Sequence, residues 1–196
     1  MPYRKKVKIA LLKMDKDGVI ERVSFAVSAG PIVTVGKKDS DEVRVSGDFS
    51  VTHNACANVE TYSMTNTEDM HSAWRGCTVF SVGGMKKAYH QTPLSNESQK
   101  YLTINTHMGL FEFRRLPNGV HSGPAIFQRF MDSLLADIPN VVSRLDDILI
   151  SGIDYDDQLH TLLQVMARNR GHPADMGCGL IICAFRLIQD GCSFLQ

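Results

Sequence analysis

Apolar positions near the N-terminus recur at helical spacing. Three of them share one face of a predicted helix: Val7, Leu11 and Met14. Asp17-Gly18 ends this pattern, because a glycine after the last periodic residue closes helices. Residues 31–35 are then rich in β-branched side chains, and residues 43–45 resume such a run after the polar segment 37–41. A helix followed by a β-hairpin with a charged tip is therefore predicted.

The next segment predicts a short helix and a strand. Residues 65–68 have the form Thr-x-x-Glu, a capping box that predicts a helix through Trp74. Residues 78–82 are apolar and β-branched, which is typical of a strand. Gly83-Gly84 is expected to interrupt that strand, because glycine weakens strand interiors.

Two hairpins and two helices are predicted in the second half. The first hairpin has strands at 101–106 and 110–114, and the second spans 141–152. Between them an amphipathic helix is expected from six apolar positions: Ile126, Phe127, Phe130, Met131, Leu134 and Leu135. Residues 156–170 look helical, and 171–179 are rich in glycine and predict a loop. Strands and helices mix without strict βαβ alternation, so the predicted fold class is α+β.

Composition narrows the class of protein only a little. The 196 residues are 43% hydrophobic and 21% charged, as is ordinary for a folded domain, and Lys plus Arg equals Asp plus Glu at 21 each. No global basic charge indicates a nucleic-acid partner, although Arg4-Lys5-Lys6 and Lys37-Lys38 are candidates for a local basic strip. No signal peptide or membrane-spanning run is evident. An intracellular protein, cytoplasmic or nuclear and without a membrane partner, is predicted.

The sharpest chemical signal is a pair of adjacent carboxylates. Asp146 and Asp147 lie between two apolar β runs, at the tip of the second predicted hairpin. Their mutual repulsion is relieved by a cation, and oxygen ligands of this kind suit Mg²⁺. The plainer interpretation is an exposed turn, since turns favour Asp in any case. Taken alone, the pair leaves both interpretations open.

An ordered series of motifs resembles a known family. The segment RLDDILISG (144–152) resembles the aromatic-x-Asp-Asp box of gypsy-type LTR retrotransposon reverse transcriptases. Residues 102–142 resemble the palm of these enzymes, as does KKAYHQTPL (86–94). GVIERV (18–23) and GPIV (30–33) are similar to segments near their N-terminus, so the resemblance covers about residues 2–168. A series of this length is far more specific than one motif.

The resemblance implies the fingers and palm of a right-hand polymerase. The fingers would comprise about residues 1–75 and 95–120, and the palm residues 76–94 and 121–196. The palm would be an antiparallel sheet backed by helices, with an irregular insertion at 171–183. Thumb, connection and RNase H regions are expected to be absent.

The resemblance also implies roles for individual residues. Asp146 and Asp147 would be catalytic and bind Mg²⁺ or Mn²⁺ for RNA-directed DNA synthesis from a primer. The implied partners are an RNA or DNA template with its primer and deoxynucleoside triphosphates. Five residues fall at nucleotide-binding positions: Lys37, Arg44, Tyr89, Asn118 and Gly119. Lys37 and Arg44 would contact phosphates, and Tyr89 would exclude a 2′-hydroxyl.

Several positions depart from the family pattern. Gly84 stands where the family has an aspartate that binds both metal ions together with the position of Asp146. No Asp or Glu occurs between Asp69 and Glu97 to replace it. Arg144 stands in place of the aromatic residue before the Asp pair and could pair with these carboxylates. Because Mg²⁺ demands near-ideal geometry, impaired metal binding and a weak or inactive copy are predicted.

Other functions remain open on the sequence. A non-enzymatic nucleic-acid-binding or interaction remnant of a retroelement would keep the basic residues Lys37, Lys38 and Arg44 and would tolerate the glycine at position 84. A metal-dependent nuclease built on Asp146 and Asp147 is a third hypothesis, with no further residues to support it. The product of a decayed element without function is compatible with the same departures.

Overall fold

The computed structural model describes residues 4–36, 41–57, 62–63, 74–170 and 182–188, with side chains up to residue 168. The chain divides into two compact units. The first unit comprises Met1–Val59 and Tyr89–Gly123, and the second comprises Glu60–Ala88 and Pro124–Gln196. The fingers and palm boundaries given above stay a prediction. None of the helices in the described segments is both long and apolar enough to cross a membrane.

The first unit opens with helix α1, Arg4–Lys16, as the apolar spacing predicted. Val7, Leu11 and Met14 are its buried residues. Gly18 ends the helix with a left-handed φ of 66°. Its N–H donates to the Asp15 carbonyl, and the Val19 N–H donates to the Met14 carbonyl. These two bonds form a Schellman motif, in which a left-handed residue satisfies the last carbonyls of the helix.

The sheet of the first unit has five strands in the order β1-β6-β5-β2-β3. Their bounds are β1 Ile20–Val23, β2 Ala29–Gly36, β3 Val43–Gly47, β5 Thr103–Thr106 and β6 Gly109–Phe113. β2 and β5 run parallel, and the other neighbouring pairs are antiparallel. The short helices α2 His53–Cys56 and α3 Asn96–Gln99 and the 3-10 turn Ala88–Gln91 complete the described elements. Both predicted hairpins, β2–β3 and β5–β6, are confirmed, while the charged tip 37–40 lies outside the described residues.

The second unit contains an antiparallel sheet of four strands in the order β7-β8-β4-β9. Their bounds are β4 Val79–Met85, β7 Val141–Arg144, β8 Asp147–Gly152 and β9 Ile182–Ile188. Two helices belong to this unit, α4 Gly123–Leu135 and α5 Tyr155–Arg170. Their buried apolar residues join those of β8 in the core: Phe127, Met131, Leu134, Val165, Ile148 and Ile150. The amphipathic helix, the hairpin at 141–152 and the α+β fold class are confirmed.

The expectation that Gly83-Gly84 interrupts a strand is wrong. β4 continues through both glycines to Met85 and is paired on both sides. Gly84 lies opposite Asp147 of β8 and opposite Ala184 of β9. The hydrogen bonds of two neighbouring strands outweigh the weak strand propensity of glycine, since that propensity depends strongly on context.

Helix α5 packs closely against β8 at Gly152. A Cβ atom at this position would lie 2.5 Å from the Gln158 backbone nitrogen. The Gln158 side chain, 4% exposed, reaches Ser81 of β4 with its amide nitrogen. The predicted capping box at 65–68 and the predicted loop at 171–179 lie outside the described residues.

Candidate active site

Asp146 and Asp147 are held at a two-residue hairpin turn. β7 ends at Arg144 and β8 begins at Asp147, and these two residues are paired. Leu145 and Asp146 form the loop between them, and Leu145 has a left-handed φ of 54°. Two-residue hairpins use turns with positive φ at the first central residue, because that twist matches the strands. Both aspartates are exposed on this turn.

Gly84 occupies the neighbouring strand beside these two carboxylates. It is paired with Asp147, and the N–H of the next residue, Met85, donates to the Asp146 carbonyl at 2.8 Å. A Cβ atom on Gly84 would stand 3.8 Å from Asp147 Oδ1, which is an ordinary van der Waals contact. Burial alternates along β4, and Gly84 lies on its less buried face with Phe80 and Val82. The structure therefore brings positions 84, 146 and 147 together, and only the last two carry carboxylates.

The surroundings of Asp147 disfavour its ionised form. Partial burial raises the pKa of Asp147, and the nearby charge of Asp146 raises it further. Both causes penalise the ionised form of Asp147. A cation beside the pair would oppose this penalty.

The donor set falls short of what two divalent ions need. Adjacent carboxylate oxygens are the hard ligands that Mg²⁺ prefers. Nowhere in the described segments do three or more His, Cys, Asp or Glu side chains form a group that could hold a metal ion. Position 84 offers a glycine, so the site lacks the third carboxylate of a paired-ion centre. The residues that the structure describes do not fit a complete two-ion site.

Arg144 does not neutralise the pair. It is exposed and stands opposite Asp147 at the end of the hairpin. Among the ion pairs of the described residues, none joins Arg144 to Asp146 or Asp147. The predicted competition between this arginine and a metal ion therefore has no contact to support it in this structure.

The predicted nucleotide-binding residues belong to the first unit. Arg44 is exposed on β3, between the buried Val43 and Val45, as strand alternation requires. Tyr89 is half-buried in the 3-10 turn, and Asn118 and Gly119 lie in the loop after β6. Lys37 lies outside the described residues.

The loop that carries Asn118 and Gly119 is fixed by a residue that the sequence did not identify. The Asn54 side chain donates to the Gly119 carbonyl at 2.8 Å and accepts from the His121 N–H at 3.0 Å. Gly119 has a φ of 98°, and a Cβ there would lie 2.4 Å from the Gly47 carbonyl oxygen. Both features require glycine at this position. No local sequence signal distinguishes Asn54, because its partners lie 65 and 67 residues away.

Comparison with known proteins identifies the family. The family profile described as reverse transcriptase (RNA-dependent DNA polymerase) matches residues 35–171. The chain belongs to the reverse transcriptase family. Uncharacterized protein K02A2.6 of Caenorhabditis elegans is 32% identical over 191 residues, 97% of this chain and 14% of that protein. The Tf2-3 transposon polyprotein of Schizosaccharomyces pombe is 31% identical over 137 residues, 69% of this chain and 10% of the polyprotein.

Solved structures confirm the reverse transcriptase fold. The foamy viral protease-reverse transcriptase in complex with double-stranded DNA superposes with a TM-score of 0.75 at 20% identity, covering 95% of this chain and 31% of that chain. The same viral protein with an RNA/DNA hybrid gives a TM-score of 0.74 at 19% identity, covering 86% of this chain and 23% of that one. This reverse transcriptase chain thus spans less than a third of the proteins to which it is compared here.

In this member of the reverse transcriptase family, the raised pKa of Asp147 makes the free energy of unfolding depend on pH. The folded-state pKa of Asp147 lies above its ordinary value of 3.8, so the folded chain binds the proton more tightly than the unfolded chain does. Ionised Asp147 therefore destabilises the fold at neutral pH, and this effect disappears as the pH falls below about 3.8. We expect Asp147→Asn to raise the free energy of unfolding slightly at pH 7. The side chain is largely exposed, which keeps the effect small.

Urea denaturation of both proteins between pH 3 and pH 8 measures this effect. The two free energies of unfolding should converge at the acidic end of the range. A difference that stays constant across the range, or a loss of stability at pH 7, would contradict the account of Asp147.

Proposed function

We propose that this chain is the polymerase domain of a gypsy-type LTR retrotransposon reverse transcriptase in a degenerate copy. Its ancestral reaction is RNA-directed DNA synthesis from a primer 3′-hydroxyl. Template and nucleotide contacts persist, while nucleotidyl transfer is weak or absent. In this proposal the fingers comprise about residues 1–75 and 95–120, and the palm comprises residues 76–94 and 121–196. Enzymes of the family use divalent metal ions, here Mg²⁺ or Mn²⁺.

One observation carries the proposal of lost activity. Gly84 stands in the strand beside the Asp146–Asp147 turn, and a Cβ atom there would lie 3.8 Å from Asp147 Oδ1. A centre for two ions gathers negative oxygens around both. Here Asp146 and Asp147 supply carboxylates from one hairpin only, so the ions would be bound weakly and aligned poorly.

The assignment to a retrotransposon and to nucleic-acid partners is supported by relatives. The Tf2 proteins are transposon polyproteins, and the foamy viral enzyme has been solved with double-stranded DNA and with an RNA/DNA hybrid. By this proposal, the partners of the present chain are a primed RNA or DNA template and deoxynucleoside triphosphates. Asp146 and Asp147 are its remaining catalytic and metal-binding residues. Lys37, Arg44, Tyr89, Asn118 and Gly119 bind the nucleotide.

Primer extension tests the proposal directly. The unaltered chain is incubated with poly(rA)/oligo(dT), thymidine triphosphate and Mg²⁺ or Mn²⁺. We expect no synthesis above that of an Asp146→Asn variant. Robust synthesis that depends on the metal would refute the proposed loss of activity.

Nucleic-acid binding without polymerisation is a second candidate function. The exposed basic side chains of the first unit favour it: Arg4 and Lys5 on α1 and Arg44 on β3. Such side chains bind phosphates and release counterions, so binding falls with salt. The net charge of zero means that only a local group of this kind could supply the attraction.

Arg44 provides the test of this second function. We expect Arg44→Gln to weaken binding of a primer–template duplex and to reduce the salt slope by about 1. Arg22→Gln is the matched control, because Arg22 is also exposed and lies on β1, at the other edge of the same sheet. Fluorescence anisotropy at several salt concentrations measures both variants. Absence of binding by the unaltered chain at low salt would remove this candidate.

A further inference from the structure

The catalytic hairpin rests on a buried glutamine of helix α4. Gln128 is 0% exposed, although it carries a polar amide. Its oxygen, Oε1, accepts a hydrogen bond from the Leu145 N–H at 2.8 Å. Its nitrogen, Nε2, donates to the Ser143 carbonyl at 2.9 Å. A single side chain thus bonds the backbone of β7 and the backbone of the turn that follows it.

A second layer of bonds fixes the orientation of this amide. Gln128 Nε2 also lies 2.8 Å from Asp132 Oδ1 and 3.1 Å from the Ser143 hydroxyl. The Ser143 hydroxyl donates to the same Asp132 oxygen at 3.0 Å. A flipped amide would set an oxygen against the Ser143 carbonyl and a nitrogen against the Leu145 N–H. The network therefore permits one orientation only, in which Oε1 faces the turn.

The residue held by Oε1 has an unfavourable backbone conformation. Leu145 has a φ of 54°, a region that side chains other than glycine, asparagine and aspartate rarely adopt. Such a conformation persists only where surrounding contacts enforce it. Leu145 is also the residue directly before Asp146, so the direction of its peptide plane sets where the two carboxylates stand.

We propose that Gln128 is a positioning residue for the Asp146–Asp147 turn, acting through its hydrogen bond to the Leu145 N–H. The relevance of this role to catalysis rests on the proposed function. The hydrogen bond itself does not, because it can be measured in the unaltered chain without metal or template. A failure of the polymerase proposal would therefore leave the positioning role of Gln128 standing. A failure of the positioning role would likewise leave the polymerase proposal standing.

Amide hydrogen exchange followed by NMR tests this role. In Gln128→Met the side chain keeps its length and loses both polar atoms. We expect the Leu145 amide to exchange about tenfold faster or more, because its buried acceptor is gone. The amides of Ile148 and Ile150, paired within the β-sheet, should keep their protection.

Gln158→Met is the matched control. Gln158 is also a buried glutamine of a helix in the second unit, and it bonds Ser81 of β4 rather than the turn. This control should leave the Leu145 amide as protected as in the unaltered chain. Unchanged protection of Leu145 in Gln128→Met would overturn the proposal. An equal loss at every amide in both variants would also overturn it, since that result describes general destabilisation.

Gln128→Glu keeps the test informative if Gln128→Met does not fold. A glutamate retains the acceptor oxygen for Leu145 and loses the donor to Ser143. We expect the Leu145 amide to remain protected, and its loss of protection would contradict the role of Oε1.

In a Gly84→Asp background, Gln128→Met should weaken Mn²⁺ binding about tenfold, as the loss of supporting contacts does at metal sites.

Discussion

Gly84→Asp should raise metal-dependent primer extension by about 100-fold or more over the unaltered chain, since misplaced catalytic groups cost on the order of 100-fold. The new carboxylate would stand beside Asp147 and complete the acidic set of a two-ion centre. The described side chains accommodate the change, because the nearest of them to a Cβ on Gly84 is Asp147, whose Oδ1 would lie 3.8 Å away. The backbone of Gly84 is ordinary strand rather than left-handed.

The same variant should become dependent on metal for its stability. Three carboxylates in close proximity repel one another, so Gly84→Asp should unfold at a lower temperature than the unaltered chain when metal is chelated. Mn²⁺ should then raise its unfolding temperature more than that of the unaltered chain, because a ligand that binds only the folded state stabilises it. Differential scanning fluorimetry with and without Mn²⁺ measures both effects.

If Gly84→Asp does not raise primer extension, the missing carboxylate is not enough to explain the proposed loss of activity. Arg144→Tyr in addition restores the aromatic residue of the family pattern next to the turn. If the double variant folds and binds Mn²⁺ yet extends no primer, the missing carboxylate is not the dominant defect. The next experiment would then add to this chain the segments of the full-length relatives that it does not span.

Gly119→Ala should destabilise the first unit by about 2–6 kcal/mol, because backbone strain and steric overlap each cost about 1–3 kcal/mol. Its φ of 98° disfavours any side chain, and the new Cβ would lie 2.4 Å from the Gly47 carbonyl oxygen. To relieve the overlap, the loop would have to move away from β3 and from the bonds to Asn54. Nucleotide affinity should fall with it, if the loop binds the nucleotide as proposed.

Gly109→Ala is the matched control for this prediction. Gly109 has a similar φ of 110°, but its nearest neighbour would be a flexible Arg22 side-chain atom at 3.6 Å. Gly109→Ala should lower the free energy of unfolding by about 1–2 kcal/mol, from backbone strain alone. Urea denaturation compares the two, and equal losses would show that the close approach of Gly119 to Gly47 has no energetic consequence.

Local patterns predicted the elements whose determinants are local. Helix α1 followed from Val7, Leu11 and Met14, and its end followed from Gly18. The β7–β8 hairpin followed from two apolar runs around a polar pair. The path of β4 through Gly83-Gly84 could not be predicted in this way, since the strands that pair with it lie more than sixty residues away in sequence.

The sequence likewise supplied some residues of the candidate site and not others. The resemblance to reverse transcriptases supplied Gly84, Asp146 and Asp147, and the structure places them side by side. It did not supply Gln128 or Asn54, because a buried glutamine and a half-buried asparagine look ordinary in sequence. Their importance comes from bonds to backbone groups 15 to 67 residues distant, which only the folded chain reveals.

Mn²⁺ binding by the unaltered chain, followed by electron paramagnetic resonance, tests the central claim most directly. The predicted result is weak binding, with half-saturation at about ten times or more the Mn²⁺ concentration that Gly84→Asp requires, since a carboxylate ligand is missing. Two Mn²⁺ ions bound to the unaltered chain as tightly as to Gly84→Asp would contradict it. In that case the glycine beside Asp146 and Asp147 would not explain the proposed loss of activity.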